Sequence, residues 1–173
     1  MIRRLLAAAM IPSFLSLGCT KAAANSLTGS ESQVYDLTFN SVLITLQGTV
    51  VSIKYEDGTS TDPAVLIVNT VEIENVANSS IDLTQLVQGG QLRGVLYNVN
   101  GSGNGVTNDL MVTRGTVTFD QVPKVDKTLT GEFAATLSDG YTLNGTFSSK
   151  VIAAPAPIPM PAPMPSVRAA KAP

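Results

Sequence analysis

Two segments of this chain, Leu129-Thr130-Gly131-Glu132-Phe133 and Leu143-Asn144-Gly145-Thr146-Phe147, share the pattern Leu-x-Gly-x-Phe, with Ser138-Asp139-Gly140 between them. Side chains of a strand alternate between faces, so the length of the turn decides which residues of the pair share a side. A two-residue Asp-Gly turn sets Phe133 against Thr146 and Glu132 against Phe147, which mixes polar and apolar residues on both faces. A three-residue Ser-Asp-Gly loop places Gly140 in the left-handed position that closes a type I turn with a bulge. Leu137 then meets Tyr141, Ala135 meets Leu143, Phe133 meets Gly145 and Gly131 meets Phe147. One face becomes wholly apolar or glycine, and the other carries Thr130, Glu132, Thr136, Thr142, Asn144, Thr146 and Ser148. This second register is the predicted one, with each phenylalanine covering the glycine across from it.

The x-Gly-x signature recurs around Gly48, Gly94 and Gly115 at irregular spacing, which argues against a solenoid and for inward glycines where sheets curve tightly or approach closely. From Val34 to Ile152 the chain is dense in Val, Thr, Ile and Leu and is broken by Asp-Gly, Asn-Gly and Gly-Gly pairs. Strands are predicted over 34–46 (broken near Asn40-Ser41), 49–55, 64–73, 91–98, 106–122, 128–137 and 141–152. Only 81–87 reads as a short helix, capped by Asp82 and ended by Gly89-Gly90. The predicted class is all-β, an antiparallel β-sandwich or small barrel of roughly seven to eight strands with at most one short helix.

The N-terminus is of a different kind. Met1-Ile2-Arg3-Arg4 is basic, and residues 5–17 form a mainly apolar run too short to span a bilayer, as in a secretory signal peptide. The run ends Leu15-Ser16-Leu17-Gly18-Cys19. This resembles the lipobox of bacterial lipoproteins, with Ser16 where leucine is usual and leucines on either side. The resemblance covers the leader and implies cleavage between Gly18 and Cys19, diacylglycerol on the Cys19 sulfur and acylation of the new amine. Thr20-Lys21 follows, without the aspartate associated with inner-membrane retention, which points to the outer membrane. Two other readings stay open: cleavage after Ala22-Ala23-Ala24 to release a soluble secreted or periplasmic product beginning at Asn25, or an uncleaved anchor. Together with the hairpin, the leader is similar to small bacterial envelope lipoproteins that carry a Gly-x-Phe hairpin near the C-terminus. That likeness implies the fold and carries no shared activity.

The predicted organisation is therefore a signal peptide at 1–18, a lipidated cysteine with a tether at 19–30, a β domain at 31–152 and an extended tail at 153–173. The tail holds seven of the ten prolines. Alternate prolines remove amide donors and fix φ, so it reads as a disordered or polyproline-like spacer. As a docking peptide it would offer Ile158, Met160 and Met164 as apolar contacts and Arg168 and Lys171 as a basic tip.

Chemistry is narrowed by what the chain lacks. It has no histidine, no tryptophan and one cysteine, so a His-dependent triad, a Cys–His pair, a His-ligated zinc and an internal disulfide are excluded within one chain. Residues 31–152 carry all 13 acids and six of the bases, a balance that argues against nucleic acid. The loop of residues 98–109 is rich in glycine and side-chain amides. It lacks the strand-then-helix setting of a nucleotide loop, but Asn98, Asn100, Asn104, Asn108 and Asp109 could offer oxygens to calcium, with a single charge among them. Glu56-Asp57 and Asp62 read as a solvated acidic turn. Glu72 and Glu74, on one face of the predicted 64–73 strand's end, invite a two-carboxylate glycosidase reading that the poverty of aromatic residues opposes. No cofactor is expected. The preferred function is a non-catalytic, lipid-anchored envelope protein with a structural, adhesion or complex-assembly role. Its partners would be the membrane, through Cys19, and an envelope protein. A small-barrel carrier for an apolar ligand is the alternative, and a carboxylate-dependent hydrolase is third.

Overall fold

A computed structural model describes residues 24–59, 61–87, 89–100 and 106–155. The leader, Cys19 and the docking residues of the tail lie outside the described residues. Ten strands form one sheet: β1 (Ser26–Thr28), β2 (Ser41–Gln47), β3 (Val50–Glu56), β4 (Asp62–Asn69), β5 (Ser80–Asp82), β6 (Gly94–Asn100), β7 (Val106–Leu110), β8 (Val112–Phe119), β9 (Thr128–Leu137) and β10 (Thr142–Ala153). Pairing runs β5-β8-β9-β10-β2-β3-β4-β6-β7, antiparallel throughout except for a parallel join between the end of β10 and β2. β10 carries the curvature: its first part pairs with β9 and its last residues, Val151 to Ala153, with Ile44 to Leu46.

Leu83 closes the ring. Its N–H donates to the Gly115 carbonyl at 2.9 Å and its carbonyl accepts from the Gly94 N–H at 3.0 Å, so the chain after β5 stitches β8 to β6. The result is a nearly closed barrel of eight strands, all-β as predicted, with two short 3₁₀ turns at Ser30–Gln33 and Ile73–Asn75. No helix among the described residues is long and apolar enough to cross a membrane.

The β9–β10 hairpin has the register predicted for the three-residue loop. Gly131 pairs with Phe147, Phe133 with Gly145 and Ala135 with Leu143, while Gly140 takes φ +90°. Both glycines lie under aromatic rings: a Cβ at Gly131 would come to 2.5 Å from Phe147 Cζ, and one at Gly145 to 2.5 Å from Tyr55 Oη and closer still to the Phe133 ring. Gly94 and Gly115 flank Leu83 in the same way. Gly48 does not belong to this set; it occupies the β2–β3 turn at φ +58°.

These rings fill the barrel. Phe39 stands edge-on to Tyr55 with centroids 5.0 Å apart, Tyr55 meets Phe133 at 6.2 Å, and Phe119 meets Phe147 at 5.8 Å. Such contacts add to the burial of large apolar area. Tyr55 donates its buried hydroxyl to the Thr146 carbonyl at 3.0 Å, tying β3 to β10 across the interior, and burial pushes its phenol well above the usual range. Tyr55→Phe is expected to cost about 1 kcal/mol, the net worth of one buried neutral hydrogen bond, measured as a lowered urea midpoint with unchanged slope.

Five sequence expectations are corrected. Residues 34–40 are not strand: Asp36 accepts the Thr38 N–H at 2.9 Å in a tight turn, and the segment crosses the barrel end with Leu37 and Phe39 packed on the core. Residues 81–87 are not helix. Asp82 accepts both the N–H and the hydroxyl of Thr84, which reverses the chain, and a hairpin then brings Leu86 opposite Leu92 around Gly89-Gly90. The predicted 106–122 strand is two, β7 and β8, because the chain leaves β6 for β9 at Met111. Glu72 and Glu74 lie past the end of β4, where Val71 at φ +59° breaks the strand and Glu72 accepts from Asn75 at 2.9 Å. Residues 26–28, expected in the tether, form β1 along β10, with Leu27 buried.

Candidate functional site

The barrel has two unlike ends. One holds the β9–β10 turn, the β3–β4 turn and the crossing segment 34–40; the other is where β10 finishes. At the first, hairpin end lies an open cleft of about 300 Å³, between the crossing segment, the β3–β4 turn, the start of β4 and the end of β6. Asp36, Asp57 and Asp62 line it together with Tyr35, Thr38 and Asn98, and among the described residues no lysine or arginine does.

Each carboxylate is held in a different way. Asp57 bends the β3–β4 turn onto itself: one oxygen accepts the Thr59 N–H at 2.7 Å, while the other accepts the hydroxyls of Thr59, at 2.7 Å, and Thr61. Those hydroxyls hold its carboxyl below the usual carboxylate range, and the Thr38 bonds do the same for Asp36. Both are therefore ionised at neutral pH. Asp62 pairs with Lys54 at 3.0 Å, and the same ammonium reaches Glu56 at 3.2 Å. Burial alone would lower the Lys54 ammonium, but its bonds to Asp62 and Glu56 outweigh that and raise it. Tyr97 is raised by burial first and by the nearby Asp62 charge second.

Asn98 differs from these rim groups. It is 5% exposed, and its Oδ1 has no hydrogen-bond donor. A buried amide oxygen left without a donor costs about 1–3 kcal/mol.

Of the five amide-loop residues, only Asn98 has a described side chain. Asn98 pairs with Asn108 and Tyr97 with Asp109, and consecutive strand positions belong to opposite faces of the sheet. Asn104 lies outside the described residues. No group of three Asp, Glu, Cys or His side chains converges as a metal site among the described residues.

The sequence marked Asp57 and Asp62 only as a solvated acidic turn and gave no sign of Asp36, Tyr35 and Thr38 beside them. The available signal was Asp-x-Thr, which occurs without a bonded turn at Asp126-Lys127-Thr128 and forms a turn at three places, Asp36-Leu37-Thr38, Asp57-Gly58-Thr59 and Asp82-Leu83-Thr84. In all three the aspartate accepts the threonine N–H, marking a turn. In comparisons with known proteins, the chain matches no family model, no curated protein and no solved structure.

Proposed function

We propose that this chain is a non-catalytic, lipid-anchored barrel of the bacterial cell envelope, held at the outer membrane through Cys19 and serving a structural, adhesion or complex-assembly role. The observation that carries this reading is the way residues 24–28 are fastened to β10. The Ala24 carbonyl accepts from the Thr146 hydroxyl at 2.7 Å, Asn25 accepts the Ser148 N–H at 2.6 Å, and β1 pairs with β10. An acylated Cys19 would thus have a linker of at most about 17 Å before the barrel. β1 runs antiparallel to β10, so Ser26 lies nearer than Thr28 to the end where β10 finishes. On this reading that end faces the bilayer and the acidic cleft faces away. One acyl chain binds a membrane only reversibly; two or three anchor it firmly.

An apolar carrier finds less support, since the room at the inward glycines is taken by Phe147, Phe133, Tyr55 and Leu83. The hydrolase reading loses the paired-strand geometry of Glu72 and Glu74. Palmitate labelling in cells tests the anchor. Labelling and globomycin-sensitive maturation are expected in the parent chain and lost in Cys19→Ala; label retained by the variant overturns the assignment.

A further inference from the structure

We propose that the end of the barrel where β10 finishes docks on the surface of an anionic phospholipid bilayer, through the turn Lys124–Lys127 and the last residues of β10. This deepens the envelope reading and rests on it for the nearness of a membrane. The turn is closed by the Lys127 N–H on the Lys124 carbonyl at 3.1 Å, with Val125 and Asp126 at its tip. The Asp126 N–H donates to the Val151 carbonyl at 2.8 Å and the Val151 N–H to the Lys127 carbonyl at 2.9 Å, so the turn lies along the end of β10. Val125 and Ile152 follow one residue further out on the two segments, and they are 42% and 41% exposed.

Charge and tether length name the occupant. Asp126 is taken by Lys150 at 2.8 Å, whereas Lys124 and Lys127 are exposed and no ion pair among the described residues includes either. Both line an open cleft of about 390 Å³ with Gln121, Val122 and Thr128, and no acid among the described residues lines it. Lysines beside exposed apolar side chains suit a lipid surface, since their stems lie on hydrocarbon while the ammonium groups reach phosphate. At the opposite end the cleft aspartates are repelled by such a surface. Glu72 and Glu74 lie past β4 at the docking end, so contact falls on its β8–β9 side. Ala24 and Asn25 are bonded to Thr146 and Ser148. Ile152 is four residues beyond Ser148, about 13 Å along the strand, within the roughly 17 Å that the five steps from Cys19 to Ala24 can span. A second copy fits less well: two apolar side chains fall short of the roughly 800 Å² per partner of a stable interface, and a two-fold pair sets lysine against lysine.

The test uses the Cys19→Ala full chain, in which an introduced cysteine is the only thiol, so it fails or succeeds separately from palmitate labelling of Cys19. A nitrobenzoxadiazole label is placed at Val125→Cys or, in the turn at the opposite end, at Ser138→Cys, and each chain is mixed with vesicles of phosphatidylglycerol or of phosphatidylcholine. On phosphatidylglycerol the label at 125 is expected to shift to the blue and to be quenched by spin-labelled lipid, and the label at 138 is not. The leader is common to both chains and cannot make that difference. The lipid concentration giving half the shift is expected to rise about tenfold or more when Lys124→Gln and Lys127→Gln are combined, at about fivefold per lysine. Added salt should move it the same way in the chain that keeps both lysines, a readout independent of any effect of substitution on folding. Equal shifts at 125 and 138, no shift at 125, an unchanged midpoint in the double variant, or an equal response on phosphatidylcholine would overturn the proposal. So would a shift without vesicles that grows with protein concentration, which assigns the surface to a second copy of the chain.

Discussion

Gly131→Ala is expected to destabilise the barrel by about 3 kcal/mol and to lower Tm by roughly 10 °C, measured by thermal and urea unfolding of the Cys19→Ala chain. A methyl at this position would overlap the Thr118 carbonyl oxygen of the adjacent strand as well as the Phe147 ring. The ring can rotate or be trimmed, but the carbonyl is part of the β8–β9 ladder, where Phe119 pairs with Gly131. Gly145→Ala meets a different obstacle, the Phe133 ring and the Tyr55 hydroxyl, both side-chain atoms. The two variants therefore respond differently to a second change. Phe133→Leu is expected to recover part of the loss in Gly145→Ala, whereas Phe147→Leu leaves most of the loss in Gly131→Ala. Equal rescue in both would show that ring crowding alone, and not close approach of strand backbones, is why glycine stands at position 131.

Glu31→Gln is expected to raise stability at pH 7 by about 2 kcal/mol and to remove a decline of stability with rising pH. Glu31 sits in the 3₁₀ turn after β1, is 1% exposed, and has no hydrogen-bond donor on either carboxylate oxygen. Burial first and the Asp139 charge second push its carboxyl above the value of 4.5 that it has when unfolded. The folded state thus holds the proton more tightly, so stability is greatest below about pH 4.5 and falls as pH rises through that value toward the raised one. Denaturant midpoints of parent and variant between pH 4 and 8 read the difference. A parent curve flat over that range, or a variant no more stable at pH 7, would show that the Glu31 carboxylate is solvated in the folded protein.

Much of the β9–β10 hairpin was legible because its information is local. A turn of three residues, a strict alternation of faces and the pairing of phenylalanine with glycine all fall within residues 129–147. Segments 34–40 and 81–87 were read less well, because their apolar residues do not distinguish a strand, a helix and a strap that plugs a barrel end. Leu37 and Phe39 look like strand positions, yet the Asp36 turn sends them across the barrel mouth. Asp82 is as good a helix cap as it is a turn residue, and the Gly115 and Gly94 backbones, distant in sequence, decide between them by bonding Leu83 on both sides. The candidate site shows the same division. Asp57 and Asp62 lie next to a recognisable turn, whereas Asp36 and Asn98 join them only through strand order, with Asp62 opposite Val99 where β4 meets β6.

By itself the sequence determined the all-β class, the hairpin register, the absence of histidine chemistry and the expectation of an anchor at Cys19, since each depends on spacing or composition within a short span. Only the tertiary structure decided that the sheet closes through Leu83, that the inward glycines make room for aromatic rings, and that an amide and three aspartates share one cleft. Those outcomes depend on contacts between residues far apart in the chain. Alternation dictates which side of a strand a residue faces, but not which distant strand it will meet there.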